Sequence, residues 1–167
     1  MKIKFEGAAR TVTGSQTVVS HNNYSTLVDC GLYQGPKPLR LLNWVKPQHF
    51  NDIQSMILTH AHIDHSGLLP RWIYWGWNGP VFCTPSTADL LSIMLPDAAR
   101  LQEEDARYAN KRKHSRHDPA LPLYTERDAE AALKLLHPIP FEKWHEVSPS
   151  MSFRFLRAGN ILGSAIV

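Results

Sequence analysis

Three of the chain's nine histidines fall within six positions, in the segment Thr59-His60-Ala61-His62-Ile63-Asp64-His65-Ser66-Gly67. The residues leading into it, Ile53 to Thr59, read as a strand. His60 and His62 therefore leave that strand at positions i and i+2 and point the same way. They can share one metal ion. Asp64 and His65 follow where the chain turns into a helix expected over Ser66 to Tyr74, and can point back toward the same place. Neutral imidazoles and a carboxylate are donors that zinc takes. Two histidines on one ion, with an aspartate and a histidine on a neighbouring ion, is the logic of a two-metal hydrolytic site. There the metals polarise the scissile group, activate water and stabilise the leaving oxygen. A histidine-rich loop holding no metal is the alternative. The full H-x-H-x-D-H pattern, after a strand and before Ser-Gly and an apolar helix, weighs against it more than one H-x-H would.

The elements that must position this cluster can be read along the chain. Lys2 to Glu6 alternate polar and apolar as a half-buried strand does. Gln16 to Ser20 and Ser25 to Asp29 are two short strand-type runs, with Asn22-Asn23 between them as hairpin chemistry. Val81 to Thr84 is a further strand. A helix is expected from Ser86 or Thr87, with Leu90, Leu91, Met94 and Leu95 on its apolar side, broken or kinked at Pro96. A second, mostly solvated helix should run from Asp97 to about Lys113. Thr125-Glu126-Arg127-Asp128 has capping-box spacing and opens a helix with Ala129, Ala132, Leu133 and Leu136 as its buried stripe. Met151 to Leu156 and Ile161 to Val167 read as strands, with a turn at Pro138-Ile139-Pro140. Strands first, then strands alternating with helices, define an α/β class with a mixed sheet and flanking helices.

Composition sets the frame. The 167 residues are 43% hydrophobic and 20% charged, which suits one folded domain over 1–167 and excludes a disordered chain. A net charge of +3 permits a polyanionic partner without requiring one. Two cysteines, Cys30 and Cys83, with no C-x-x-C, suggest neither a disulfide framework nor a Cys-rich zinc ribbon. The opening Met-Lys-Ile-Lys-Phe-Glu does not read as a secretory signal, and no run approaches about 18 consecutive apolar residues. A cytoplasmic protein with no membrane partner is expected.

The His segment resembles the signature motif of the metallo-β-lactamase superfamily. Further stretches resemble its β-CASP branch of RNA-processing nucleases, related to the cleavage and polyadenylation specificity factor endonuclease. These are Gly7-Ala8-Ala9-Arg10-Thr11-Val12-Thr13-Gly14-Ser15, Leu27-Val28-Asp29-Cys30-Gly31-Leu32-Tyr33-Gln34-Gly35, Leu101 to Ala106, and Ala158-Gly159-Asn160-Ile161-Leu162-Gly163-Ser164-Ala165. The resemblance implies zinc as cofactor, two ions per site in the family, and RNA as partner. It implies His60 and His62 as ligands of one zinc, and Asp64 and His65 as ligands of the other. Asp64 would also orient the attacking water, and Asp29 would support the metal site from behind; these two aspartates are the residues assigned to catalysis. Gly163 and Ser164 would be loop residues beside the site, with plain turn chemistry as the alternative.

Two departures qualify the resemblance. Asn160 stands where the family has a histidine that completes the first zinc's ligands, and a neutral amide oxygen is a poor zinc donor. The chain is also much shorter than family members. It is expected to supply the first half of an αββα sandwich, without the inserted β-CASP domain, the later metal-bridging aspartate or the late histidine. Such a half-sandwich should expose an apolar sheet face and an unpaired strand edge, and so pair with a second copy, pair with a C-terminal fragment, or adopt an altered fold. One zinc or none is then expected to bind, with impaired catalysis.

Two function classes follow. One is a zinc-dependent hydrolase of RNA phosphodiester bonds, or, on the same fold, of a small ester, thioester or lactam. The other is a non-catalytic member acting as an interaction module. The remaining features are bland. Lys111 to His117 is a basic run that could meet phosphates but reads first as a solvated loop. Trp72, Tyr74, Trp75 and Trp77 read as core packing before base stacking. His21, His49, His137 and His145 stand alone, and Glu103, Glu104 and Asp105 read as a solvated helix face.

Overall fold

A computed structural model describes residues 1–113 and 117–167. Its main sheet has six strands in the order β1-β2-β3-β4-β5-β6: β1 Lys2–Gly7, β2 Gln16–His21, β3 Tyr24–Val28, β4 Ser55–Ile57, β5 Val81–Cys83 and β6 Leu136–Pro138. The first three strands pair antiparallel and the last three join in parallel, so the sheet is mixed, as the order of elements implies. Asn22 and Asn23 close the β2–β3 hairpin with φ of 46° and 62°, the left-handed pair that a two-residue turn requires.

The helices are α1 Lys37–Leu41, α2 Ile63–Ser66, α3 Leu69–Tyr74, α4 Pro85–Arg112 and α5 Glu126–Leu133. Val18, Leu27, Met56 and Val81 on one sheet face pack with Leu91, Leu95, Ala129 and Ala132 of α4 and α5. Each fully buried aliphatic side chain here contributes about 1.5–3 kcal/mol. Arg71 of α3 is buried too. Its guanidinium donates to the Leu123 carbonyl at 2.7 Å and lies 4.5–5.0 Å from the rings of Trp44, Tyr74 and Trp75.

The opposite sheet face is only partly covered. Two small hairpins, β7 His145–Ser148 with β8 Met151–Phe153 and β9 Leu156–Arg157 with β10 Ala165–Ile166, lie over it. Phe153, Phe155 and Ala165 pack there on Ile57 and Phe82. Beyond them runs an apolar groove that includes Ile3, Phe5, Val19, Val28, Trp144 and Ile166. Phe5 is 69% exposed and Ile166 58%. Part of this sheet face is therefore apolar and open to water.

Several elements differ from the sequence reading. The helix over 85–112 is one unbroken element of 28 residues with Pro96 inside it. The buried positions Leu91, Leu95 and Ala99 continue with a spacing of four across the proline, while Ser92, whose carbonyl loses its partner, is exposed to water. Thr84 caps it, accepting from Thr87 N, so the helix starts at Pro85, ahead of Ser86. The strand expected over 53–59 is only Ser55–Ile57, and the helix expected from Ser66 begins earlier, at Ile63, and is split at Gly67 and Leu68. Asp29 lies just past the end of β3, at φ 62°. The capping box at Thr125 and Asp128 is formed as read, but Leu136 lies in β6 and not on α5. The strands expected over 151–156 and 161–167 are reduced to β8, β9 and β10.

Candidate metal centre

The cluster lies where the parallel strands β3 and β4 end at their carboxyl ends, the place where open α/β sheets bind ligands. Three parts of the chain are tied together there by backbone bonds. Ser15 N donates to Asp64 O, Cys30 N to His65 O, Gly31 N to Ser15 O, and Leu32 N to Ile63 O. The packing is tight enough to demand glycine at 31, where a Cβ would sit 1.8 Å from the Asp64 carbonyl oxygen.

Asp29 is the hub, buried to 3% exposure. Its Oδ1 accepts from the backbone N of Thr59 at 2.9 Å and from the Thr59 hydroxyl at 2.8 Å. Its Oδ2 accepts from His65 Nδ1 at 2.6 Å and from the Ser15 hydroxyl at 3.1 Å. Four bonds fill the acceptor sites of the carboxylate. Asp29 thus joins Ser15, Thr59 and His65 through its two oxygens.

The metal-ligand candidates meet in pairs. His60 Nε2 lies 3.0 Å from His62 Nδ1, and His65 Nε2 lies 3.6 Å from Asp64 Oδ2. The His60 and His65 rings bring the pairs together, with centroids 4.1 Å apart. Among the described residues, no three such donors are gathered at ion-binding distances around one point. Two nitrogens on one tetrahedral zinc stand about 3.3 Å apart, from bond lengths near 2.0–2.1 Å. The His60–His62 pair is within a few tenths of an ångström of that spacing. By donor chemistry, two imidazole Nε2 atoms, one Nδ1 and one carboxylate are of the types a divalent transition metal takes. What each pair lacks is further donors.

Electrostatics separate His60 from His65. Burial, and then the neighbouring His65, hold His60 below the ordinary imidazole value. Burial pulls His65 down as well, but the hydrogen bond and charge of Asp29, with the charge of Asp64, outweigh it and hold His65 above that value.

Asn160 is exposed in the loop between β9 and β10. That loop is pinned beside the site: Ala165 N donates to Thr59 O, and the Thr84 and Thr87 hydroxyls both donate to Gly163 O. Ser164 is buried and its hydroxyl accepts from Ile161 N at 3.0 Å, so its observed contact is turn chemistry. Trp72 and Trp77 are buried core residues, whereas Tyr74 is 60% exposed. Of the acidic run on α4, Glu103 accepts from Glu126 N at the start of α5 and is not merely solvated. Lys111, Arg112 and Lys113 end α4, and positions 114–116 of the basic run lie outside the described residues. The sequence reading gave no role to Thr59 or Ser15. A hydroxyl residue between the strand and the first histidine was the visible signal for Thr59.

The chain belongs to the metallo-beta-lactamase superfamily, whose profile matches residues 9–146. A protein named ribonuclease TTHA0252, from Thermus thermophilus, is 34% identical over 169 residues, covering 100% of this chain and 34% of the relative. Transcription termination factor FttA of Methanocaldococcus jannaschii is 29% identical over 167 residues, covering 99% of this chain and 24% of the relative. The resemblance to the RNA-processing β-CASP branch holds in these relatives. The chain spans about a third or less of their length. A solved metallo-beta-lactamase HARLDQ motif mutant S60 from Cronobacter sakazakii aligns with TM-score 0.35 at 19% identity, over 48% of this chain and 31% of that chain. Among the described residues, no helix is long and apolar enough to cross a membrane.

Proposed function

We propose that this chain is the N-terminal metal-binding portion of a zinc-dependent hydrolase that cleaves RNA phosphodiester bonds in the cytoplasm. The observation that carries it is the pair of donor pairs, His60 with His62 and Asp64 with His65, organised on one buried carboxylate. The family relatives, a ribonuclease and a transcription termination factor, support RNA as substrate over a small ester or thioester. His60 and His62 would hold one zinc, Asp64 and His65 the other. Zinc bound there supplies Lewis-acid charge for a phosphoryl oxygen and activates water. Asp64 would also orient the attacking water, while Asp29 keeps His65 in place.

By itself the chain is a weak nuclease or an inactive one. Each pair needs further donors, and Asn160 offers a poor one where a histidine is expected. The first half of an αββα sandwich over 1–167 is the domain reading consistent with the open apolar face. That same Asn160 favours a second reading, a non-catalytic module that holds one zinc or none.

The test is chelator-sensitive cleavage of a labelled single-stranded RNA by the purified chain, with and without Asn160→His. Little cleavage by the chain, with a gain in zinc binding and cleavage for Asn160→His, supports the nuclease reading. Robust cleavage by the unaltered chain contradicts the claim of impairment. No zinc binding and no cleavage in either form supports the module.

A further inference from the structure

Asp29 reaches both donor pairs, one through each oxygen, but only one of the two contacts is direct. On the His65 side, Oδ2 bonds to His65 Nδ1 itself. On the His60 side, the Thr59 hydroxyl stands between, 2.8 Å from Asp29 Oδ1 and 2.9 Å from His60 Nδ1. We propose that Thr59 is a positioning residue that sets the tautomer of His60, so that one carboxylate prepares both histidines to present Nε2 as a lone pair. This rests on the metal-centre reading above and deepens it.

The chemistry follows from counting protons. A threonine hydroxyl has one hydrogen and a carboxylate has only acceptor sites. The hydroxyl hydrogen is therefore spent on Asp29 Oδ1, and toward His60 the same oxygen can only accept. His60 Nδ1 must carry the ring hydrogen. That leaves Nε2 unprotonated, and Nε2 is the atom that faces His62. His65 arrives at the same state directly, because a carboxylate oxygen at 2.6 Å from Nδ1 takes that proton's hydrogen bond. The backbone N of Thr59 also donates to Asp29 Oδ1, at 2.9 Å, so the hydroxyl is held at a fixed distance from both partners. Ala165 N on the Thr59 carbonyl fixes the residue from its other side. In a free neutral imidazole nothing forces this tautomer, and a His60 protonated on Nε2 would present a hydrogen where a metal needs a lone pair.

The arrangement also makes the two positions unequal in how they fail. Removing the Thr59 hydroxyl frees His60 alone. Removing the charge on Asp29 disturbs His60 and His65 together. A purely structural threonine would show no such division.

The experiment is long-range nitrogen–proton NMR of the imidazole rings in the metal-free chain. It is run at a pH above the raised His65 titration, so that both rings are neutral. The wild-type chain should show His60 and His65 both protonated on Nδ1. Thr59→Val should give His60 a mixed or reversed tautomer with His65 unchanged, and Thr59→Ser should restore it. Asp29→Asn should alter both rings. In parallel, zinc titration should show about a tenfold or greater loss of affinity in Thr59→Val, recovered in Thr59→Ser. A wild-type His60 protonated on Nε2 overturns the proposal, as does a Thr59→Val chain with unchanged His60 tautomer. If Thr59→Val does not fold, the wild-type and Thr59→Ser spectra still decide it. Because the NMR readout needs no metal, the expected tautomers in a chain that binds no zinc would defeat the zinc-hydrolase reading while leaving this one standing.

Discussion

Asp29 Oδ2 accepts a 2.6 Å hydrogen bond from Nδ1 of His65, a residue 36 positions further along the chain. The bond links the end of β3 to α2 and turns the His65 Nε2 atom toward Asp64. Its partner oxygen serves Thr59, so this one buried side chain ties three segments to the candidate metal centre.

Replacing Asp29 should therefore cost stability even without metal. Asp29→Ala leaves the Thr59 amide, the Thr59 and Ser15 hydroxyls and His65 Nδ1 without their acceptor. Unpaired buried donors cost about 1–3 kcal/mol each, reduced where water can enter. A loss of about 2–4 kcal/mol in urea unfolding is expected. A change within about 0.5 kcal/mol, the range of ordinary surface substitutions, would mean the network is not formed in solution.

Gly31→Ala should be among the most damaging small substitutions. The added Cβ would meet the Asp64 carbonyl at 1.8 Å and the Ser15 amide nitrogen at 2.6 Å, both backbone atoms that cannot swing aside. Overpacking of this kind costs about 1–3 kcal/mol or more. Thermal unfolding should show a clear fall in Tm, with a matching fall in zinc affinity because Asp64 must move. By contrast, at Gly35 a side chain would meet nothing nearby, so Gly35→Ala carries only the backbone penalty of its φ of 94°.

Alkaline pH should destabilise the chain, and two buried groups contribute to the loss. Burial pushes the Cys83 thiol from an ordinary 9.0 up to about 12. It drives the Tyr124 hydroxyl from 10.0 up to about 12, against the opposing pull of the Gln102 side chain. Both folded values lie above the unfolded ones. Their contribution is thus complete below about 9 for Cys83 and 10 for Tyr124, and is lost as pH rises toward about 12. Stability measured across that window should fall with pH, and Cys83→Ala with Tyr124→Phe should flatten the fall. An unchanged slope in the double variant would show that other groups dominate.

The open sheet face should make the chain self-associate. Phe5 and Ile166 are exposed beside Ile3, Trp144 and Val19 in one apolar groove. Sedimentation should show concentration-dependent association, weakened in Phe5→Ser with Ile166→Ser. A strictly monomeric chain that binds no apolar dye would count against an accessible face.

What could be read from the sequence was mostly local. The hairpin at Asn22-Asn23 and the capping box at Thr125 and Asp128 each depend on neighbours within a few residues, and each is formed; the His60/His62 and Asp64/His65 donors come near one another only as pairs. Pro96 misled because its cost depends on which side of the helix its orphaned carbonyl faces, and that is set by how α4 packs. The helix around Asp64 and His65 starts at Ile63 because His62 O accepts from both His65 N and Ser66 N, a local turn that the strand pattern had masked. The Asp29–Thr59–His60 chain of hydrogen bonds spans about thirty residues of sequence and exists only once β3 and β4 lie side by side. Periodicity carries no trace of it.

The most direct test of the metal-centre account is calorimetric zinc titration of the chain, of Asn160→His, and of each with His60→Ala and His65→Ala. The account predicts measurable zinc binding by the chain, tighter binding with Asn160→His, and weakened binding in both alanine variants. A chain that binds no zinc even as Asn160→His, or that binds it equally well without His60 and His65, would contradict it.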